Sequence, residues 1–206
     1  MHARSVNFQA RPESIDEGIA FVKDEVMPAV MGMDGCIGLS FIADRESGRC
    51  ISTSAWQSKD ALEASEPKVA PLRQRGTEVF GSQPSMDLWE IAVLHRDAAA
   101  GDGASVRCTW LSLDPEGINH AIETYRMSTL PALEQLDGFC SASLMVDRDQ
   151  GRAVSSATFA THDDMVASRS EAEGLRRSIA KDVGATVTDV NEFELVLAHL
   201  HVPEMA

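Results

Sequence analysis

The chain has 206 residues, a formal net charge of −14 and a sequence pI of about 4.7. A field of that sign repels phosphate backbones and anionic headgroups, which sets aside nucleic acid and membrane surfaces as partners. With 44% apolar and 24% charged residues, the composition is that of a globular chain able to bury a core, which excludes disorder.

Residues 5–10 alternate polar with β-branched and aromatic side chains and read as a first strand. Pro12 and Ser14 then open a helix whose apolar stripe is Ile15, Ile19, Val22, Val26 and Val30, and Gly32 with Asp34-Gly35 ends it. Two strands over 36–43 and 49–57 follow, joined by the short polar segment Asp44–Gly48 as an antiparallel hairpin. A second helix over 58–79 starts on a serine cap at Ser58 with Asp60 in its first turn, and Pro67 and Pro71 are the places where it is expected to break. A strand over 88–95 completes the unit.

The same series then repeats. At an offset of about 103 positions, Pro12-Glu13 falls on Pro115-Glu116, Asp34-Gly35 on Asp137-Gly138, Asp44–Arg49 on Asp147–Arg152, and Leu72-Arg73 on Leu175-Arg176. One inserted residue later, Trp89-Glu90 matches Phe193-Glu194 and His95 matches His199. The chain is therefore a tandem duplication: a first repeat over 1–96, a linker over 97–104 containing Ala98-Ala99-Ala100-Gly101, and a second repeat over 105–206. Each βαββαβ repeat predicts an α+β unit, a four-stranded antiparallel sheet with both helices on one face. The bare faces are expected to pack sheet to sheet within the chain.

Several segments bear on chemistry and location. No basic region followed by an apolar run opens the chain and no stretch has the length of a membrane span, so the protein is expected to be cytoplasmic. Cys36, Cys50, Cys108 and Cys140 form no CxxC, which reads as reduced thiols and no metal site. Arg73, Arg75, Arg176 and Arg177 read as solvating helix faces.

The stretch Trp56-Gln57-Ser58-Lys59-Asp60-Ala61-Leu62, with the preceding Asp44–Arg49 hairpin, resembles the antibiotic biosynthesis monooxygenase family. The second repeat keeps the hairpin but has Phe159-Ala160-Thr161-His162-Asp163-Asp164 in place of the Trp and Ser. The resemblance implies ferredoxin-like repeats forming, from one chain, the dimeric α/β barrel that single-repeat members build from two. The smallest unit is then a monomeric pseudo-dimer of about 22 kDa, with further homodimerisation open. It also implies a cofactor-independent monooxygenase or oxidase acting with O2 on a small aromatic phenol, quinol or polyketide-like substrate. A non-catalytic ligand-binding or stress-response protein is the alternative. Haem degradation is disfavoured, because the helix through Ala64–Arg75 holds neither the Trp nor the His of that branch.

Six residues are candidates for a site. Asn7 corresponds to the asparagine that orients substrate in family oxygenases, and its amide supplies a fixed dipole for a carbonyl or oxyanion. Glu90, set among apolar residues in the last strand and matched by Glu194, and His95, matched by His199, are candidate bases. Trp56, Trp110 and Phe159 are candidate aromatic walls for the substrate. Because Trp110 and Phe159 stand where the first repeat has Asn7 and Trp56, the second repeat is expected to hold the fuller pocket and the first the working one.

Overall fold

The computed structural model describes residues 1–200; His201 and the rest of the second repeat's end lie outside the described residues. The described residues form eight strands, β1 (His2–Gln9), β2 (Cys36–Ala43), β3 (Arg49–Trp56), β4 (Ser85–Arg96), β5 (Ser105–Ser112), β6 (Phe139–Asp147), β7 (Arg152–Phe159) and β8 (Thr186–Leu200), which hydrogen-bond in the order β1-β3-β2-β8-β5-β7-β6-β4 as a closed antiparallel barrel of the expected α+β class. The described residues separate into two compact units, one of Met1–Trp89 with residues 194–200, the other of Glu90–Phe193.

In unit 1, β1 (His2–Gln9) pairs antiparallel with β3 (Arg49–Trp56), and β3 with β2 (Cys36–Ala43). The outer edge of β2 pairs with the end of β8 (Thr186–Leu200), running Leu39↔His199 to Ala43↔Glu194. The last strand of the second repeat thus completes unit 1. The mirror case holds in unit 2: β5 (Ser105–Ser112) pairs with β7 (Arg152–Phe159), and β7 with β6 (Phe139–Asp147). There the end of β4 (Ser85–Arg96) pairs with β6 from Glu90↔Val146 to Arg96↔Ser141. Residues 97–104 lie between β4 and β5 and carry neither helix nor strand.

The first helix of each repeat is split by a π-helical turn. In unit 1, α1 (Ile15–Phe21) passes through Val22–Val26 into α2 (Met27–Met31). Pro28 explains the split, since it has no N–H to donate and its ring crowds the preceding turn. Pro131 does the same in unit 2, where α5 (Ile118–Thr124) passes through the π turn Tyr125–Thr129 into α6 (Leu130–Leu133).

The second helix is also split. α3 (Lys59–Ala64) starts on the expected cap, Ala61 N donating to Ser58 Oγ at 3.1 Å, and ends at Ser65, after which α4 runs Glu66–Phe80 with Pro71 inside it. Pro67 fits the first turn of α4. Proline is not the cause of the break, because the second repeat breaks at Ser168 where no proline stands. A buried arginine sets it instead. Arg4 on β1 donates to Ser65 Oγ (2.9 Å) and to the Leu62 carbonyl (2.9 Å), taking up a helix-end acceptor. Arg107 on β5 repeats this on Ser168 Oγ (3.0 Å) and the Met165 carbonyl between α7 (His162–Ala167) and α8 (Arg169–Asp182).

Hairpin geometry accounts for the repeated acidic-basic motif. Asp44 Oδ1 accepts from Glu46 N (2.9 Å), and Gly48 has φ +79° with the Ala10 carbonyl 2.1 Å from where a Cβ would sit, so only glycine fits. Gly151, at φ +61°, meets the Leu113 carbonyl in the same way.

Candidate functional site

Strand alternation puts Arg4, Val6 and Phe8 of β1 toward the helices and Ser5 and Asn7 on the other face. Between the sheet and helices of unit 1 lies a cavity of about 60 Å³, walled by Val6, Phe8, Val22, Val26, Val30 and Leu72, with Arg4 and Arg73 at its polar side. Phe80, fully buried, fills much of this space by stacking on Phe8 with centroids 4.4 Å apart. The stack is seated against Gly18, where a Cβ would lie 2.0 Å from the Phe80 ring.

A cavity of about 80 Å³ occupies the repeat-related place in unit 2. Leu111 and Val183 stand where unit 1 has Phe8 and Phe80, so no ring stack fills it, and Leu133, Leu175 and Ile179 keep its walls apolar. Its polar atoms come from Thr109, Tyr125, Thr129 and Ser155, joined by Arg107 and Arg176. The π turn is what aims Tyr125 and Thr129 inward, four residues apart with Leu133 next on the same face. The Tyr125 hydroxyl donates to the Ser143 carbonyl (3.2 Å) and lies 3.1 Å from Ser155 Oγ. Burial pushes its pKa up to about 12, so it stays a neutral phenol.

Arg107 is 5% exposed and is held by Glu192, with Nε to Oε1 at 3.0 Å, while its guanidinium carbon lies 5.5 Å from the Phe159 ring centre. Glu192 also takes Arg169. Burial raises the pKa of Glu192, and the hydrogen bonds from Arg169 and Arg107 overcome this and hold it below the usual carboxylate value.

The six residues singled out in the sequence are not brought together. Asn7 Nδ2 donates to Asp87 Oδ2 at 3.3 Å on the face of β1 away from the helices. Trp56 is fully buried in the unit 1 core, its indole N–H donating to Ser54 Oγ at 3.0 Å. Glu90 makes a two-pronged pair with Arg148, at 2.6 and 3.0 Å, and Glu194 takes Arg45 at 2.7 Å, so these two carboxylates hold the hairpin arginines of the repeated motif. His95 Nε2 sits 2.9 Å from Glu134 Oε1. Trp110 is half-buried and meets Phe193 edge-on at 6.4 Å, while Phe159 is fully buried beneath Arg107. None of the six is among the residues lining either cavity. The expected contrast of Asn7 and Trp56 with Trp110 and Phe159 thus lies away from both cavities, whose space is shaped in unit 1 by Phe8 and Phe80 and in unit 2 by Leu111 and Val183.

The arginines carry the other difference. Arg73 and Arg176 line the cavities instead of solvating a helix face, whereas Arg75 and Arg177 pair with Glu25 and Glu173. Their orientation follows from α4 and α8, where Leu72-Arg73 and Leu175-Arg176 point toward the sheet. The repeat alignment placed these pairs in register, and only the helix phase was missing.

No protein-family model matches the chain. Two Mycobacterium tuberculosis (strain ATCC 25618 / H37Rv) proteins, described as uncharacterized proteins Rv2557 and Rv2558, are 51% and 50% identical to it, each over the whole of this chain and over 92% and 87% of their own length. Among solved structures, the Fusobacterium nucleatum protein FN1347, provisionally classed as a monooxygenase, superposes with a TM-score of 0.70 at 13% identity, covering 97% of this chain and 94% of its own. An anthrone oxidase-like protein gives 0.67 at 16% identity, covering 100% and 95%. A Listeria monocytogenes ferredoxin-fold protein related to antibiotic biosynthesis monooxygenases gives 0.54 at 9% identity, covering 95% of each chain. At these identities the likeness is one of fold, and that fold is the duplicated ferredoxin-like α/β barrel.

Proposed function

The chain belongs to the family of the mycobacterial proteins Rv2557 and Rv2558, and from that premise and its fold we propose that it binds a small aromatic molecule in the helix–sheet cavity of unit 2 and oxidises it with O2. One observation carries the reading: the unit 2 cavity joins apolar walls to Thr109, Tyr125, Thr129, Ser155 and two guanidinium groups, whereas a phenylalanine stack takes up much of the corresponding space in unit 1. The anthrone oxidase-like and monooxygenase-like structural neighbours support the reaction class.

A quinol substrate would give up two electrons and two protons to O2, yielding quinone and hydrogen peroxide. The chain's part is to hold the ring between Leu111, Leu133 and Ile179, and to lower the cost of a phenolate with the nearby guanidinium charge. Tyr125, neutral and pinned to the Ser143 carbonyl, orients the substrate oxygen rather than removing its proton. Proton removal falls to solvent.

That last point favours a second reading, a ligand-binding protein without turnover. No carboxylate or imidazole is among the described residues lining either cavity, so neither cavity holds a general base. Oxygen consumption with a panel of hydroquinones and anthrones decides between the two. Uptake that disappears in Tyr125→Phe combined with Thr109→Val supports oxidation at this cavity. A ligand-induced rise in unfolding temperature with no uptake selects the binding protein.

A further inference from the structure

The two cavities have different charge balances. In unit 1, Arg4 and Arg73 converge on one carboxylate, Glu66, whose Oε2 is 3.1 Å from Arg4 Nη2 and whose Oε1 accepts from Arg73 Nη2. The hydrogen bond from Arg73 holds the Glu66 carboxyl below its usual value, so it stays charged and both guanidinium groups have a partner.

Arg169 stands at the repeat position of Glu66 in unit 2. Three guanidinium groups, of Arg107, Arg169 and Arg176, therefore surround a single carboxylate, Glu192, which comes from β8 and is taken by Arg107 and Arg169. Arg176 is half-buried on the cavity wall and makes no hydrogen bond or ion pair among the described residues. Glu173, the carboxylate nearest it along α8, is paired with Arg177. Burial pulls the pKa of Arg176 down and repulsion from Arg107 pulls it the same way, and the attraction of the more distant Glu173 and Glu192 offsets this only in part, so the charge sits there at a cost an anion in contact would relieve.

A second observation lies on the same wall. Thr129 Oγ1, presented by the π turn, is buried and has no hydrogen-bond partner. An unmatched guanidinium and an unmatched hydroxyl facing one mostly apolar space describe a ligand with one anionic end and an apolar body.

We propose that unit 2 selects small aromatic carboxylates of the benzoate class, the carboxylate lying against Arg176 with Thr129 donating to it and the ring lying among Leu111, Leu133 and Ile179. This rests on the reading that the unit 2 cavity is the ligand site. Arginine suits the role, since its fork of donors matches the two oxygens of a carboxylate. Unit 1 is closed to the same ligand because Glu66 already occupies both of its guanidinium groups and Phe80 fills the ring space.

Titration calorimetry of benzoate and of its neutral counterpart benzyl alcohol against the full chain tests this. Benzoate is expected to bind about tenfold or more tightly than benzyl alcohol, the factor set by one charge-assisted pair. Arg176→Gln should erase that preference while leaving benzyl alcohol affinity unchanged, and Arg73→Gln should leave both affinities as they are. Equal affinities in the wild type, or a preference that survives Arg176→Gln, overturn the carboxylate assignment but leave the cavity as a ligand site. Binding of neither compound by a chain with a normal unfolding profile overturns the assignment and the site together.

Discussion

Unit 1 and unit 2 share a backbone plan and differ in what fills the space between sheet and helices. In unit 1, Phe8, Phe80, Val22 and Val26 make that space an extension of the core, and Glu66 neutralises its arginines. In unit 2, Leu111, Val183, Tyr125, Thr129 and Arg169 stand at the matching places, and the same space is wider, hydroxyl-lined and short of negative charge. Five matched positions thus separate a half whose space is taken by rings from a half whose space is bordered by hydroxyls and guanidinium groups. Duplication allows this division, since one copy can carry stability while the other gives some up at a site.

The strongest test of the shared plan is its buried arginine. Arg4→Ala and Arg107→Ala should each cost about 2–4 kcal/mol in chemical denaturation, because each removes the charge-assisted hydrogen bonds that tie the strand to the helix junction and one of the two cations on its carboxylate. A large loss in one unit and none in the other would break the symmetry of the clamp. The cavities can then be exchanged in kind. Val183→Phe places in unit 2 the ring that unit 1 has in Phe80, and it should cost about 1–3 kcal/mol while abolishing ligand-induced stabilisation. Retained binding in that variant would move the site elsewhere.

The smallest expected difference is in alkali. Burial pushes the Cys50 thiol of unit 1 up to about 11 and the Tyr125 phenol of unit 2 up to about 12. In both, the folded state holds the proton more tightly than the unfolded chain does, so stability is complete below the unfolded value and falls as pH rises through the folded one. The windows are about pH 9–11 for Cys50 and 10–12 for Tyr125. Each group should cost about 1 kcal/mol at the middle of its window, a loss missing from Cys50→Ala and Tyr125→Phe respectively when unfolding is followed at pH 8, 10 and 11.

The strand alternation and the Ser58 cap were legible in the sequence because each rests on residues close together in the chain, and the duplication because its motifs recur at one fixed offset. The cavity was not, for two reasons. Val22, Val26 and Val30 form an apolar stripe that reads as core whether or not it borders empty space, and the volume is decided by Phe8 and Phe80, about 70 positions apart. The clamp was hidden in the same way, since Arg4 and Arg107 reach partners 58 to 61 residues away and appear in sequence as strand residues of ordinary polarity. Asn7 and Trp56 drew attention through resemblance to a family, and strand parity puts Asn7 on the face opposite the cavity. The exchange of Glu66 for Arg169 was present in the repeat alignment, but it acquires meaning only once both positions are known to flank the same space.

The pairing of β2 with residues 194–200 has a consequence for biosynthesis. The outer edge of β2 finds its partner only after some 150 further residues have left the ribosome, roughly 8 to 30 s at ordinary translation speeds. During that interval the nascent N-terminal half carries an open strand edge, the kind of surface that recruits chaperones or neighbouring chains. Unit 1 is synthesised before unit 2, yet its β2 edge must wait for β8, so the order in which these strands are made is not the order in which the sheet is sealed.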